Sequence, residues 1–178
     1  MAILVEGISV IVRCSSIVGS YVGGTKAFVE DVPNHSLCAD GELACVAFMT
    51  PADAETYVKF LESRGLKYRE HGSAVDIVVV DQRAGFCFPC TWAEFGITDW
   101  NNDPGCPISV CAAVARTSEK VVVPNGWTFA NSMSAEYKFI DGNTLPDSLK
   151  FVRHEEEVDV YVDVQTGKEF FTPARKIV

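Results

Sequence analysis

Thr50 to Gln82 reads TPADAETYVKFLESRGLKYREHGSAVDIVVVDQ, and this stretch decides the fold because its local structure follows residue by residue. Thr50 is a good helix N-cap, Pro51 sits where a missing N–H costs nothing, and Asp53 completes an S/T-x-x-acid box. Ala54, Tyr57, Val58 and Leu61 recur at helical spacing with Phe60 widening the stripe, and Glu55 stands four residues before Lys59 on the wet side. Gly65 can take the left-handed position after the last turn, which places Leu66 against Leu61 in a Schellman end. After His71-Gly72 comes Val75-Asp76-Ile77-Val78-Val79-Val80-Asp81. It is β-branched and apolar on both parities, the pattern of a strand covered on both faces.

A helix followed by such a strand cannot bury itself, so further strands must flank it and another layer must cover it. Upstream, Ile3 to Arg13 reads as one long strand, apolar on both parities. Ser15 or Ser16 can cap a helix running towards Val32-Pro33, with a break foreseeable near Gly23-Gly24. Asp40-Gly41 then joins two apolar runs as a hairpin turn. The order strand, helix, strand, strand, helix, strand over residues 3–82 predicts an α+β protein with a ferredoxin-like (βαββαβ) N-terminal half. Its sheet is too apolar on the open face to stay bare. Residues 85–178 are expected to pack there and share one core with residues 1–84, and a homodimer is the other way to cover that face.

Beyond Arg83-Ala84-Gly85 the chain is β-rich. Ile108–Arg116, Lys120–Val123 and Glu136–Ile140 are candidate strands, Leu145–Val152 a candidate short helix. Val158, Val160, Val162 and Val164 alternate with Asp159, Tyr161 and Asp163 in a closing hairpin that turns at Gly167.

With 178 residues, 48% hydrophobic and 22% charged, the chain can bury one sizeable core and has no compositional mark of disorder. No run reaches the length of a membrane-spanning helix, and Met1–Glu6 lacks the features of a secretory signal. The expected setting is cytoplasmic, where seven cysteines, an odd number, read as reduced thiols. The net charge of −9 opposes binding to nucleic-acid phosphates and to anionic membranes.

Cys87-Phe88-Pro89-Cys90 has the spacing of a dithiol redox motif, although such a site wants its first thiol at a helix N-terminus. With Cys106 and Cys111 the pair gives C-x2-C-x15-C-x4-C, near the ligand spacing of structural zinc, against which Cys111 lies in an apolar run. His35, His71 and His154 are too scattered to form a metal cluster. The acidic hairpin residues Glu156, Asp159 and Asp163, and Trp92 in the aromatic loop, are candidate contacts for a ligand or a basic partner.

The helix and strand rhythm after Ala47 is similar to one module of the vicinal-oxygen-chelate proteins, but the second half supplies neither the second long helix nor the His and Glu ligands. An ACT-like regulatory unit is similar to the first half as well, which implies small-ligand binding at a strand edge. With no phosphate loop, nucleophile elbow or H-E-x-x-H helix in the sequence, the expected function is a non-catalytic binding or regulatory protein, without a cofactor, whose ligand or partner surface lies between its two halves. A thiol-redox or zinc protein using Cys87 and Cys90, and an acidic inhibitor of a basic protein, are the alternatives.

Overall fold

The computed structural model describes residues 1–114, 120–136, 149–155, 158–164, 167 and 169–173. Contacts divide the chain into Met1–Ser132 and Met133–Val178.

In the first unit, the apolar run after Met1 forms two strands where one was expected, β1 (Ala2–Val5) and β2 (Ile8–Arg13). Gly7, at φ 53°, breaks the run. Buried Ser9 turns its hydroxyl back on Glu6, donating to the Glu6 oxygen at 2.9 Å and accepting the Glu6 N–H at 3.2 Å. Gln82 clamps the break from outside. Its Oε1 accepts the Gly7 N–H at 2.9 Å, its own N–H donates to the Gly7 oxygen at 2.9 Å, and its carbonyl accepts Ser109 Oγ at 2.6 Å. A buried polar side chain is tolerated when it is satisfied in this way.

The chain then runs through α1 (Cys14–Ser20), α2 (Gly24–Glu30), β3 (Cys38–Ala39), β4 (Leu43–Phe48) and α3 (Pro51–Ser63). Next come the small ribbon β5 (Arg69–Glu70) and β6 (Ser73–Ala74), then β7 (Ile77–Asp81) and β8 (Gly85–Phe86). The longer strands β9 (Ala93–Asp99) and β10 (Pro107–Ala113) and the short β11 (Val121–Val122) complete the unit. Five strands form one sheet in the order β3-β4-β2-β7-β8, every neighbour antiparallel. A second sheet runs β11-β1-β10-β9, with β1 antiparallel to β10 and parallel to β11. The break at Gly7 therefore passes one chain segment from sheet to sheet.

That passage explains the doubly apolar strands. On one face Val10, Val12, Ala44, Val46, Ile77 and Val79 pack under Ile17, Phe28, Tyr57 and Leu61 of the helices. On the other, Ile11, Leu43, Cys45, Val78 and Val80 pack against Ile3 and Val5 of β1, Ala93 of β9 and Cys111 of β10. The mixed α+β class is observed, with a helical layer and two sheets stacked upon it.

The helix α3 begins as its sequence dictates. Thr50 Oγ1 accepts the Asp53 N–H at 3.2 Å and donates to Asp53 Oδ2 at 2.7 Å, and Ala54, Tyr57, Val58 and Leu61 are buried while Phe60 lies at the exposed edge of the stripe. It ends with Leu66 N–H on the Leu61 carbonyl and Gly65 N–H on that of Glu62, the two bonds of a Schellman motif. The earlier helix is broken at Tyr21–Gly23 into α1 and α2, with Gly23 at φ 90°. Neither Ser15 nor Ser16 caps it: Arg13 holds the cap position, and Ser16 Oγ donates to Asp76 Oδ1 at 2.7 Å.

The second unit holds a short helix α4 (Met133–Glu136) and a three-stranded antiparallel sheet, β12 (Leu149–Glu155), β13 (Val158–Asp163) and β14 (Glu169–Pro173), in that order. The closing hairpin is present, with Gly167 at φ 71°. Of the expected helix Leu145–Val152, residues 149–152 are extended and 145–148 lie outside the described residues. Cross-strand contacts override local propensity there: Phe151 meets Tyr161 edge to face at 5.7 Å, and Arg153 reaches Glu169 with two nitrogens at 2.7 and 3.1 Å. The strand expected over Glu136–Ile140 falls outside the described residues, save Glu136, which ends α4.

Candidate functional site

Cys87 and Cys90 lie on the loop between β8 and β9, Cys87 exposed and Cys90 half-buried. Burial pushes both thiols up, with Asp81 adding to the effect at Cys87, while the Trp92 and Ala93 N–H groups and the Arg13 charge oppose it at Cys90 without reversing it. A redox thiol is tuned the other way, by a helix N-terminus or a neighbouring cation. Cys111 is fully buried on β10 and is pushed up to about 12, by burial first and Cys90 second. Cys106 sits on the β9–β10 loop, its sulfur 3.6 Å from Asp103 Oδ2. Among the described residues no three His, Cys, Asp or Glu side chains gather closely enough to hold a metal ion. Cys87, Cys90, Cys106 and Cys111 are thus not brought together as one ligand set.

Trp92 packs half-buried at the edge of the core between the sheets, its Nε1–H donating to the Ala74 carbonyl at 3.3 Å and the Arg13 guanidinium 5.8 Å from its ring. His35 and His71 are exposed, and His71 lies on a turn at φ 51°. Asp159 and Asp163 are on β13, Asp159 half-buried, while Glu156 lies outside the described residues.

A different group of side chains meets on the helical layer. The Val22 N–H donates to the Arg64 carbonyl at 2.9 Å, seating the end of α3 on the junction of α1 and α2. This brings Arg64 to Asp31, with Nη2 2.7 Å from Oδ2, and the Tyr21 hydroxyl donates to the same oxygen at 2.8 Å. The guanidinium lies 5.4 Å from the Tyr21 ring centre and 6.0 Å from that of Phe60, within cation–π reach. Tyr57, two turns before Arg64 on the same helix, is 4% exposed. Its hydroxyl is buried without a hydrogen-bond partner, and so is Arg64 Nε. Burial, then the Tyr21 phenol and the Asp31 charge, push the Tyr57 hydroxyl up, so it stays protonated. Arg64 Nε and the Tyr57 hydroxyl are thus unmet, while Asp31 Oδ2 is engaged by both Tyr21 and Arg64.

Sequence spacing could not have assembled this group. Tyr57 and Arg64 share a helix, seven residues apart, but Tyr21 and Asp31 come from a segment whose helices turn at a break, and only the docking of α3 unites them.

No family model, no curated protein and no solved structure matches the chain. Among the described residues no helix is long and apolar enough to cross a membrane.

Proposed function

We propose that the protein is a non-catalytic binding protein and that the Tyr21–Asp31–Tyr57–Arg64 cluster contacts its ligand. The observation that carries this reading is the pair of buried donors, Tyr57 Oη–H and Arg64 Nε–H, that lack partners. An unmet buried donor costs about 1–3 kcal/mol, and such groups in a folded protein ask for a reason. Arg64 Nε–H can only donate and the Tyr57 hydroxyl can donate as well as accept, so an acceptor oxygen would meet both, and the Asp31 carboxylate is already held by Tyr21 and Arg64. A small molecule carrying a carboxylate or amide oxygen fits that demand. The non-catalytic part of the reading rests on chemistry: the Tyr57 phenol and the Cys87, Cys90 and Cys111 thiols are all shifted away from their nucleophilic forms, the reverse of an activated nucleophile.

The same reading takes residues 8–81 as a ferredoxin-like unit. In its favour, Cys38–Ala39, Leu43–Phe48, Ile8–Arg13 and Ile77–Asp81 lie side by side in that order, all antiparallel, with helices on the connections from Ile8–Arg13 to Cys38–Ala39 and from Leu43–Phe48 to Ile77–Asp81. Fold analogy to small-ligand regulatory units adds support of a weaker kind. A cytoplasmic setting suits seven free thiols.

The test is a thermal-shift and calorimetric panel of small carboxylates and amides on wild type and Tyr57→Phe. Members that raise the wild-type midpoint and lose most of that effect in Tyr57→Phe support the reading. A panel that shifts neither protein, or both equally, overturns it.

A further inference from the structure

The two-residue strand β3 places Cys38 directly opposite Cys45 of β4. Directly opposed antiparallel residues point to the same face with Cα atoms about 4.5–5.5 Å apart, within the roughly 4.4–6.8 Å spanned by disulfides. Both side chains enter the core between the two sheets. The two are unbonded in this structure, like the other five cysteines. A hydrogen bond to Cys45 first, and burial second, hold the Cys38 thiol in its protonated form. The third cysteine on a described strand, Cys111, stands opposite Ile3 and Phe95 instead.

We propose that Cys38 and Cys45 form a reversible cross-strand disulfide, closed by a hydroperoxide and reopened by a dithiol. Access comes through β3, which is the edge of its sheet, only two residues long and paired on one side alone. Such edges open at the low end of a protein's local stability. On opening, one cysteine loses its proton and its sulfur attacks the peroxide O–O bond, forming a sulfenic acid and releasing one water. The second thiol then attacks that sulfur, the S–S bond forms, and a second water leaves with the remaining proton. Two thiols and one hydrogen peroxide thus give one disulfide and two waters. With the Cys38 thiol held in its protonated form the first step is slow, so closing is set by how often β3 frays. The product staples the edge strand to its neighbour and seals one rim of the core.

The experiment treats the native full chain with hydrogen peroxide, quenches, unfolds, alkylates the remaining thiols and maps peptides by mass spectrometry without reduction. The expected product is a peptide pair joined through Cys38 and Cys45, lighter by two hydrogens, unalkylated at both, and lost on treatment with dithiothreitol. Its yield should rise under mild urea below the global transition, because opening of β3 limits it. Cys38 and Cys45 still fully alkylated under conditions that oxidise exposed Cys87 would overturn the proposal. So would a crosslink from either residue to Cys90 or Cys111 in place of their own pair.

Discussion

The carbonyl oxygen of Ser20 stands 2.7 Å from where a Cβ on Gly65 would lie, and Gly65 itself holds φ at 102°. One residue thus ends α3 and lets the last turn of α1 come close enough for Val22 to bond to the Arg64 carbonyl. The helix stop and the candidate binding cluster are one joint, since the same approach carries Arg64 to Asp31.

Gly65→Ala should therefore cost more than Gly41→Ala. Both positions have positive φ, for which a side chain costs about 1 kcal/mol, but Gly41 has open space around its missing Cβ. Urea unfolding midpoints of the two variants decide the matter. Equal losses would mean that the Ser20 contact yields without strain.

What could be read in advance follows the range of the interactions concerned. The cap at Thr50, the stripe ending at Leu61 and the stop at Gly65 are fixed by residues within one or two turns, and they appear where the sequence puts them. The demand for cover on both faces of β7 was equally legible, because it rests on side-chain type alone. The division of Ala2–Arg13 between two sheets was not. It depends on Gln82 and Ser109, far along the chain, and Gly7 inside an apolar run looks like a weak spot in one strand. Residues 149–152 went astray for the same reason, their extended form being set by Tyr161 and Glu169 across the sheet. The Tyr57–Arg64 cluster was illegible in kind: its sign is two donors with no partner, and a missing contact leaves no pattern in a sequence.

The buried phenols also predict how stability responds to alkali. Tyr57 is raised chiefly by burial, and Tyr21 and Tyr68 are raised as well, burial again coming first. A tyrosine that ionises at higher pH in the folded state contributes fully below its unfolded value of about 10, and that contribution is lost as pH rises towards the folded value. Stability should fall above about pH 10, where the unfolded chain releases protons that the native one keeps. Tyr57→Phe should flatten part of that fall, leaving the share of Tyr21 and Tyr68. Chemical denaturation repeated across the alkaline range measures the slope. An unchanged slope in Tyr57→Phe would put the Tyr57 hydroxyl in contact with water.

The last prediction concerns where the chain can be cut. Ending it after Ala84 removes β10 and β11, the two neighbours of β1, along with Ala93 and Cys111 from the core between the sheets. Ile3, Val5, Ile11, Val78 and Val80 would then face water as one apolar surface, and β1 would keep no strand to pair with. Apolar patches and unpaired strand edges of that kind recruit other chains. Residues 1–84 alone should accordingly aggregate or dimerise. Residues 1–132, which keep both sheets whole, should remain monomeric and unfold cooperatively, because every strand of the first unit retains its neighbours. Sedimentation velocity with thermal unfolding of the two fragments separates these outcomes. A monomeric 1–84 fragment with a sharp transition would show that the helical layer and the five-stranded sheet suffice, and that the second sheet merely rests on them.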